Sequence, residues 1–278
     1  MGSDGTGRSD GSDGTGRSDG SDGTDGTGRS VGTDGADEAG RAVARLVEVV
    51  DLLLADEGGC AWNRAQDHRS LVAYLVEESS ELVEAVEQGT AADLREELGD
   101  VLYQVVLHAA VAARGGTGSG DPSRPGASGL LADVVDGVRE KTVRRHPHVF
   151  GDAEAADLDA IVDVWSAAKA REKSSRESAY DGVARTMPAL ARAQKLASRR
   201  RGAGVAARPD PAAVAPGSAG SLAGATDEAE WGRLLLAEVD AVEGRGFDVE
   251  RALRTAVRER EERLRAEERV SRPGSERD

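Results

Sequence analysis

The chain contains a single cysteine, Cys60, so no internal disulfide can form, which fits a reducing compartment. No apolar run approaches the roughly 18 residues that a membrane-spanning helix needs. The N-terminal segment lacks the basic and apolar regions of a secretory signal, so a soluble, cytoplasmic protein is expected. Positive charge is short as well: 36 Lys and Arg against 51 Asp and Glu leave a formal net charge of −15. That balance argues against a general nucleic-acid binder, whose affinity comes largely from neutralising phosphates, while leaving room for a local basic patch that holds a small polyphosphate. No series of alternating or β-branched segments bounded by turn residues occurs, and strands are not expected.

What is present begins with repetition. GSDGTGRSD at 2–10 recurs at 11–19 and continues with small insertions to residue 37. Such a segment has nothing to bury, and 1–37 is expected to be a disordered tail. Its eight Asp and three Arg carry five of the fifteen excess negative charges. The remaining ~240 residues allow one large domain or two small ones with a real core.

Apolar residues then recur at helical spacing over 39–58, 71–87, 93–113, 130–145, 157–173 and 229–268, which makes the fold class all-α. A Gly/Ser/Pro-rich stretch at 115–129 reads as a flexible loop, and 202–228 as a longer linker. The charged end of the last helix, EREERLRAEER, is most simply a solvated face with i,i+4 ion pairs.

Two of these helices carry acids where an apolar face would be expected. Counted at 100° per residue from Leu71, the stripe Leu71, Leu82, Leu75, Val86, Val72, Val83 and Val76 spans about 0° to 140°, and Glu78 falls at about 340° with Glu81 one step further round. Counted from Leu94, Glu97 borders the stripe of the next helix, and Asp100 lies at about 240° between Leu107 and Val111. Ionised carboxylates so placed cost several kcal/mol unless a cation or strong donors compensate them. Each helix projects an i,i+3 pair from one face, and a short turn at Gly89-Thr90 would set the pairs opposite each other. Four converging carboxylates suit a hard cation such as Mg²⁺ or Mn²⁺. Solvated surface acids and a di-iron bundle remain the competing readings; no histidine follows an acid at the Glu-x-x-His spacing that ferritin-like sites use.

These residues resemble a known family. Glu77-Glu78-x-x-Glu81 followed by Glu97-x-x-Asp100 is similar to the E-E-x-x-E and E-x-x-D signature of the MazG nucleoside triphosphate pyrophosphohydrolases, an all-α group. GCAWNRAQDHRSLVAYLVEE (59–78) resembles the family's GCPWDREQTHxSLxPYxxEE segment, KTVRRHPHVFGD (141–152) its K-x-x-RRHPHVF segment, and VWSAAKAREK (164–173) its W-x-x-x-K-x-x-EK close. The resemblance implies Mg²⁺-dependent hydrolysis of NTPs and dNTPs between the α and β phosphates, giving a nucleoside monophosphate and pyrophosphate. It implies Glu78, Glu81, Glu97 and Asp100 as metal ligands with Glu77 bordering the catalytic site, and a dimer that completes a four-helix arrangement.

Lys141, Arg144 and Arg145 share one helix face and offer cations to a triphosphate, beside the alternative of a basic last turn that complements the helix dipole. Trp165 and Lys169, also i,i+4, are nucleotide contacts by the resemblance. Trp62 either stacks on a base or packs the start of the helix that follows. The family's C-P-W-D is Cys60-Ala61-Trp62-Asn63 here, which departs at the proline and at the acid. His68, His146 and His148 read as structural, and His108 lies beside Glu97 on the helix count.

The catalytic domain is expected over 38–178. DGVARTMPALARAQKLASR (181–199) resembles the linker of tandem family members, which sets a linker helix at 179–201 and the flexible linker at 202–228. Residues 229–270 resemble the later part of a second copy, followed by a short tail at 271–278. Arg233 stands there at the position of the metal-binding Asp, and an arginine cannot ligate a cation, so the second copy reads as a degenerate repeat. The expected role is nucleotide-pool housecleaning, against two alternatives: a pyrophosphatase narrow for one non-standard nucleotide, or a metal- and nucleotide-binding regulatory module without turnover.

Overall fold

An apolar residue at every third or fourth position along residues 43–54 gives the first helix a continuous stripe to bury, and this stripe sets the core. In the computed structural model, which describes residues 33–114, 127–172, 176–203 and 222–271, every regular element is helical. The chain divides into two units, residues 1–172 and 173–278.

In the first unit α1 (Thr33–Leu54) is followed by the short α2 (Ala61–Arg64), α3 (Val72–Gln88), α4 (Ala91–Ala113), α5 (Ala127–Arg145), the single turn α6 (Pro147–Phe150) and α7 (Leu158–Glu172). Helix α1 starts within the expected tail, whose residues 1–32 lie outside the described residues, as do 115–126 of the expected loop. It also ends earlier than the periodicity predicts. Gly58 adopts φ +75°, and a Cβ on Gly59 would collide with the Ala55 backbone, so the chain turns away from the helix axis there.

The break between α3 and α4 is built by two residues. Gly89 passes so close to Ala85 that a Cβ would sit 2.7 Å from its Cα, and its N–H donates to the Ala85 carbonyl at 2.9 Å. Thr90 then caps α4: its Oγ1 accepts from the N–H groups of Ala92 and Asp93, while the Asp93 carboxylate accepts from the Thr90 N–H at 2.7 Å. So short a connection folds α3 and α4 into a helical hairpin, and the two pack along each other.

The core lies beside the hairpin. Val47, Val50 and Leu54 of α1 meet Leu71, Leu131 of α5, and Val106, Leu107, Ala109, Ala110 and Val111 of α4. Fully burying a residue such as Leu107 contributes roughly 1.5–3 kcal/mol. The C-terminal half of α4 is thereby clamped, and its acid-bearing N-terminal half extends as a rigid continuation.

One expectation is corrected. The stripe counted on α3 is only half buried: Leu71 is covered, but Val72, Val76, Val83 and Val86 are exposed, Val76 by 61%. A helix packed against one neighbour can cover only one side of a 140° stripe.

The second unit holds α8 (Ala189–Gly202), the 3₁₀ turn 222–224, α9 (Glu228–Glu243) and α10 (Val249–Ser271). The helix expected over 229–268 is two helices, because the chain turns at 244–248 with Gly246 at φ +73°. Gln194 of α8 holds that turn, accepting from the Val249 N–H at 3.1 Å and donating to the Phe247 carbonyl. Arg200 pairs with Asp240 at 3.1 Å, and Leu234, Val239 and Ala197 form the small buried centre. Residues 173–175, 204–221 and 272–278 lie outside the described residues.

Candidate metal centre and basic cluster

The i,i+3 spacing on each arm of the hairpin brings acids together across it. One carboxylate oxygen each of Glu78, Glu81 and Glu97 lies within 4.8 Å of the others, the only such group of acidic, histidine or cysteine ligands among the described residues. Ser79 and Ser80, between the two acids of α3, donate to the Leu75 and Val76 carbonyls and stay out of the cluster. Glu97 Oε2 is buried with no hydrogen-bond partner.

Burial pushes the Glu78 and Glu97 carboxyls above the usual carboxylate range, and neighbouring charge pushes further: Asp100 then Glu81 at Glu78, Glu81 then Asp100 at Glu97. Asp100 is therefore beside the cluster and acts on both members, although it stands outside the three-way convergence. Glu77 is exposed and adds a weaker repulsion at Glu78.

This donor set fits a hard divalent cation. Three oxygen donors converge from two rigid helices, the negative charge is under-compensated, and a buried carboxylate oxygen lacks any donor. Sequence reasoning missed Gln104. It is 4% exposed, one turn beyond Asp100, and its side chain hydrogen-bonds Glu78 and partly offsets the rise there; its Oε1 is buried without a partner. The signal was a lone amide inside the otherwise apolar run VLYQVVL.

The cations expected to meet phosphates gather where α5 ends against α7. Arg145 donates to Glu172 Oε2 from Nε at 2.9 Å and Nη2 at 2.6 Å, and Arg144 Nε reaches Oε1 at 3.4 Å. These two guanidinium groups hold the Glu172 carboxyl below its usual range, Arg145 foremost. Trp165 lies under both Arg145, 5.6 Å from its ring centre, and Lys169, at 4.4 Å. Arg144, Arg145, Trp165 and Lys169 are thus brought together, while Lys141 is exposed on α5. Glu172 matches the E of the W-x-x-x-K-x-x-EK close but was not carried over as a site residue, because nothing local links it to an arginine 27 residues away.

Trp62 packs edge-on against Tyr74, with ring centres 5.5 Å apart, and keeps 48% of its surface exposed. Asn63, which replaces the family's acid, is buried and accepts from the Tyr103 hydroxyl at 3.2 Å, tying the loop to α4. His108 partners His68, not Glu97: their Nδ1 atoms are 2.9 Å apart and the rings are parallel. His146 Nδ1 donates to the Thr142 carbonyl at 2.7 Å, and His146 and His148 stand 5.6 Å apart.

In the second unit, Arg233 is exposed on α9, and Glu230, three residues before it, is occupied locally. The Glu230 carboxylate accepts from both the N–H and the hydroxyl of Thr226 at 2.7 Å, contacts that lower its pKa.

The profile of the MazG nucleotide pyrophosphohydrolase domain matches residues 66–150, from the loop before α3 through the basic segment. An uncharacterised 26.1 kDa protein of the blaB 3′ region of Streptomyces cacaoi is 41% identical over 81% of this chain and 83% of its own length. The nucleoside triphosphate pyrophosphohydrolase/pyrophosphatase MazG of Thermotoga maritima is 35% identical over 79% of this chain and 83% of its own. The nucleoside triphosphate pyrophosphohydrolase of Mycobacterium tuberculosis is 37% identical, over 83% of this chain and 61% of its own length. A helical unit with an acid-lined hairpin and these relatives define the class: the chain belongs to the MazG nucleotide pyrophosphohydrolase family.

Proposed function

We propose that this chain hydrolyses nucleoside triphosphates, ribo- and deoxyribo-, at the α–β bond and serves nucleotide-pool housecleaning in the cytoplasm. The observation that carries the reading is the convergence of Glu78, Glu81 and Glu97, with Glu97 Oε2 buried and lacking a donor. Glu78, Glu81, Glu97 and Asp100 hold Mg²⁺, or Mn²⁺ in its place, and Glu77 borders the site. The bound ion supplies positive charge opposite the phosphate oxygens.

The chain's own residues bind and orient. Lys141, Arg144, Arg145 and Lys169 engage the triphosphate and stabilise the charge that grows on the departing pyrophosphate, with Trp165 as their support and Trp62 at the nucleoside. Rigid helices hold these groups, so little reorganisation accompanies reaction. In the balance, a water oxygen bonds to phosphorus, the bridging P–O bond breaks, and one NTP and one water give a nucleoside monophosphate and pyrophosphate.

The functional form is a homodimer in which two α3–α4 hairpins make a four-helix arrangement. Its support is the open apolar surface of the hairpin: Val72, Val76 and Val83 on α3 with Leu98, Leu102 and Val105 on α4, none less than 38% exposed. Light scattering after size exclusion should give twice the chain mass, and Leu98→Glu should shift it towards one.

The activity is tested by incubating the protein with each NTP and dNTP and Mg²⁺ while measuring pyrophosphate. No release by the wild type, or undiminished release by Glu81→Ala, sinks the proposal; orthophosphate without pyrophosphate moves cleavage to the β–γ bond.

A further inference from the structure

We propose that Glu172 is a positioning residue for polyphosphate: its carboxylate grips one edge of the Arg145 guanidinium so that the opposite edge is held ready for the substrate's phosphates. The inference rests on the proposed pyrophosphohydrolase reading and extends it to a residue with no direct substrate contact.

Glu172 falls on the same stripe of α7 as Trp165 and Lys169, at i, i+4 and i+7, so one face of α7 meets the end of α5. Its Oε2 accepts from both Nε and Nη2 of Arg145. A guanidinium has five N–H groups in a rigid fork. Two are spent on Glu172, and the other three lie on Nη1 and the outer side of Nη2. Arg145 can therefore hold Glu172 and a phosphate at once, as a freely rotating cation would not.

Burial agrees with a built support. The Arg145 and Glu172 side chains are only 15% and 21% exposed, far less than those of ordinary surface ion pairs, and the Trp165 ring supports the cation from a second direction. Arg144 adds the second oxygen's partner, which stops the carboxylate from rotating away.

Electrostatics alone predicts the opposite of positioning, and that makes the idea testable. Removing a carboxylate makes the cluster more positive and should tighten anion binding. Positioning requires that Glu172→Ala weaken it. Calorimetry with inorganic pyrophosphate, without divalent metal, is expected to show about tenfold weaker binding for Glu172→Ala, and about threefold for Glu172→Gln, which keeps one acceptor oxygen. The kcat/KM for NTP should fall by at least a similar factor, with part of the loss in kcat, since Arg145 also meets the charge that grows on the leaving pyrophosphate. In an Arg145→Ala background, Glu172→Ala should add nothing, since it acts through Arg145.

Unchanged or tighter pyrophosphate binding by Glu172→Ala overturns the proposal. So does full additivity with Arg145→Ala, or a wild type that binds no pyrophosphate. Should Glu172→Ala fail to fold, Glu172→Gln carries the test, and wild-type binding in that variant overturns it. Because binding is read without turnover, a wild type that binds pyrophosphate yet releases none from NTP refutes the activity and leaves this test standing.

Discussion

Helices α4 and α9 use the same register for opposite ends. In α4, Glu97 precedes Asp100 by one turn and both face the acids of α3; in α9, Glu230 precedes Arg233 by the same step, yet Glu230 is bound to Thr226 and Arg233 is exposed. A carboxylate becomes a ligand only where a second acid-bearing helix faces it and no local donor satisfies it. In α4 the N-cap is supplied by Thr90 and Asp93, which leaves Glu97 uncommitted; in α9 the donors of Thr226 engage Glu230. The first unit holds under-compensated negative charge, whereas Glu230 of the second is engaged at the start of its own helix.

Mutation sharpens that contrast most where it removes a member of the converging group. Glu81→Ala should lower pyrophosphate release at least about a hundredfold, while Glu230→Ala should leave the rate within about twofold. Equal losses in a steady-state assay would mean that the second unit also carries a working site.

Packing distinguishes two leucines of α4 next. Leu107→Ala opens a cavity in the core and should cost about 2–5 kcal/mol of stability in denaturant unfolding. Leu98 is half exposed in the single chain, so Leu98→Ala should cost much less per chain and act on assembly instead.

Gln104→Leu keeps the buried volume and removes the hydrogen bond to Glu78. Mn²⁺ affinity, followed by electron paramagnetic resonance, should fall about 10–100-fold, as for other residues that orient ligands. An unchanged affinity would mean that Gln104 serves packing alone.

The smallest effects are in pH. Glu97 has a folded pKa raised above its unfolded value, so from the usual carboxylate range up to that raised value the native state binds more protons, and metal-free stability falls as pH rises through the window. Glu97→Gln should therefore raise the metal-free melting temperature at neutral pH, with the difference vanishing in acid. Glu172 has the opposite sign. Its folded pKa is depressed, so its contribution is present above the unfolded value and is lost as pH falls through the folded one, and Glu172→Gln should flatten that acid limb. Melting curves over pH 3 to 8 check both slopes.

Much of this was legible along the chain. Periodicity located α3, α4, α5 and α7 to within three residues and α1 to within six, and the angular count singled out Glu78, Glu81, Glu97 and Asp100, of which the first three converge, because helical geometry turns spacing into direction. The break inside 229–268 was missed since Gly244 and Gly246 sit in an otherwise helical pattern. Gln104, and the partner of the motif residue Glu172, were missed for another reason: each acts across an interface between helices, where no local periodicity points.

The sequence by itself determined an all-α chain and the hairpin turn at Gly89-Thr90, and it sets an arginine, Arg233, three residues after Glu230 where the first unit has Asp100 three residues after Glu97. Those are properties of spacing and side-chain chemistry, and they are set one helix at a time. Only the tertiary structure decided which three acids converge, which apolar stripe stays open, that His108 pairs with His68, and that Glu172 steadies Arg145. Each of these depends on how two helices rotate against one another, and that rotation is fixed by the packing of the whole core.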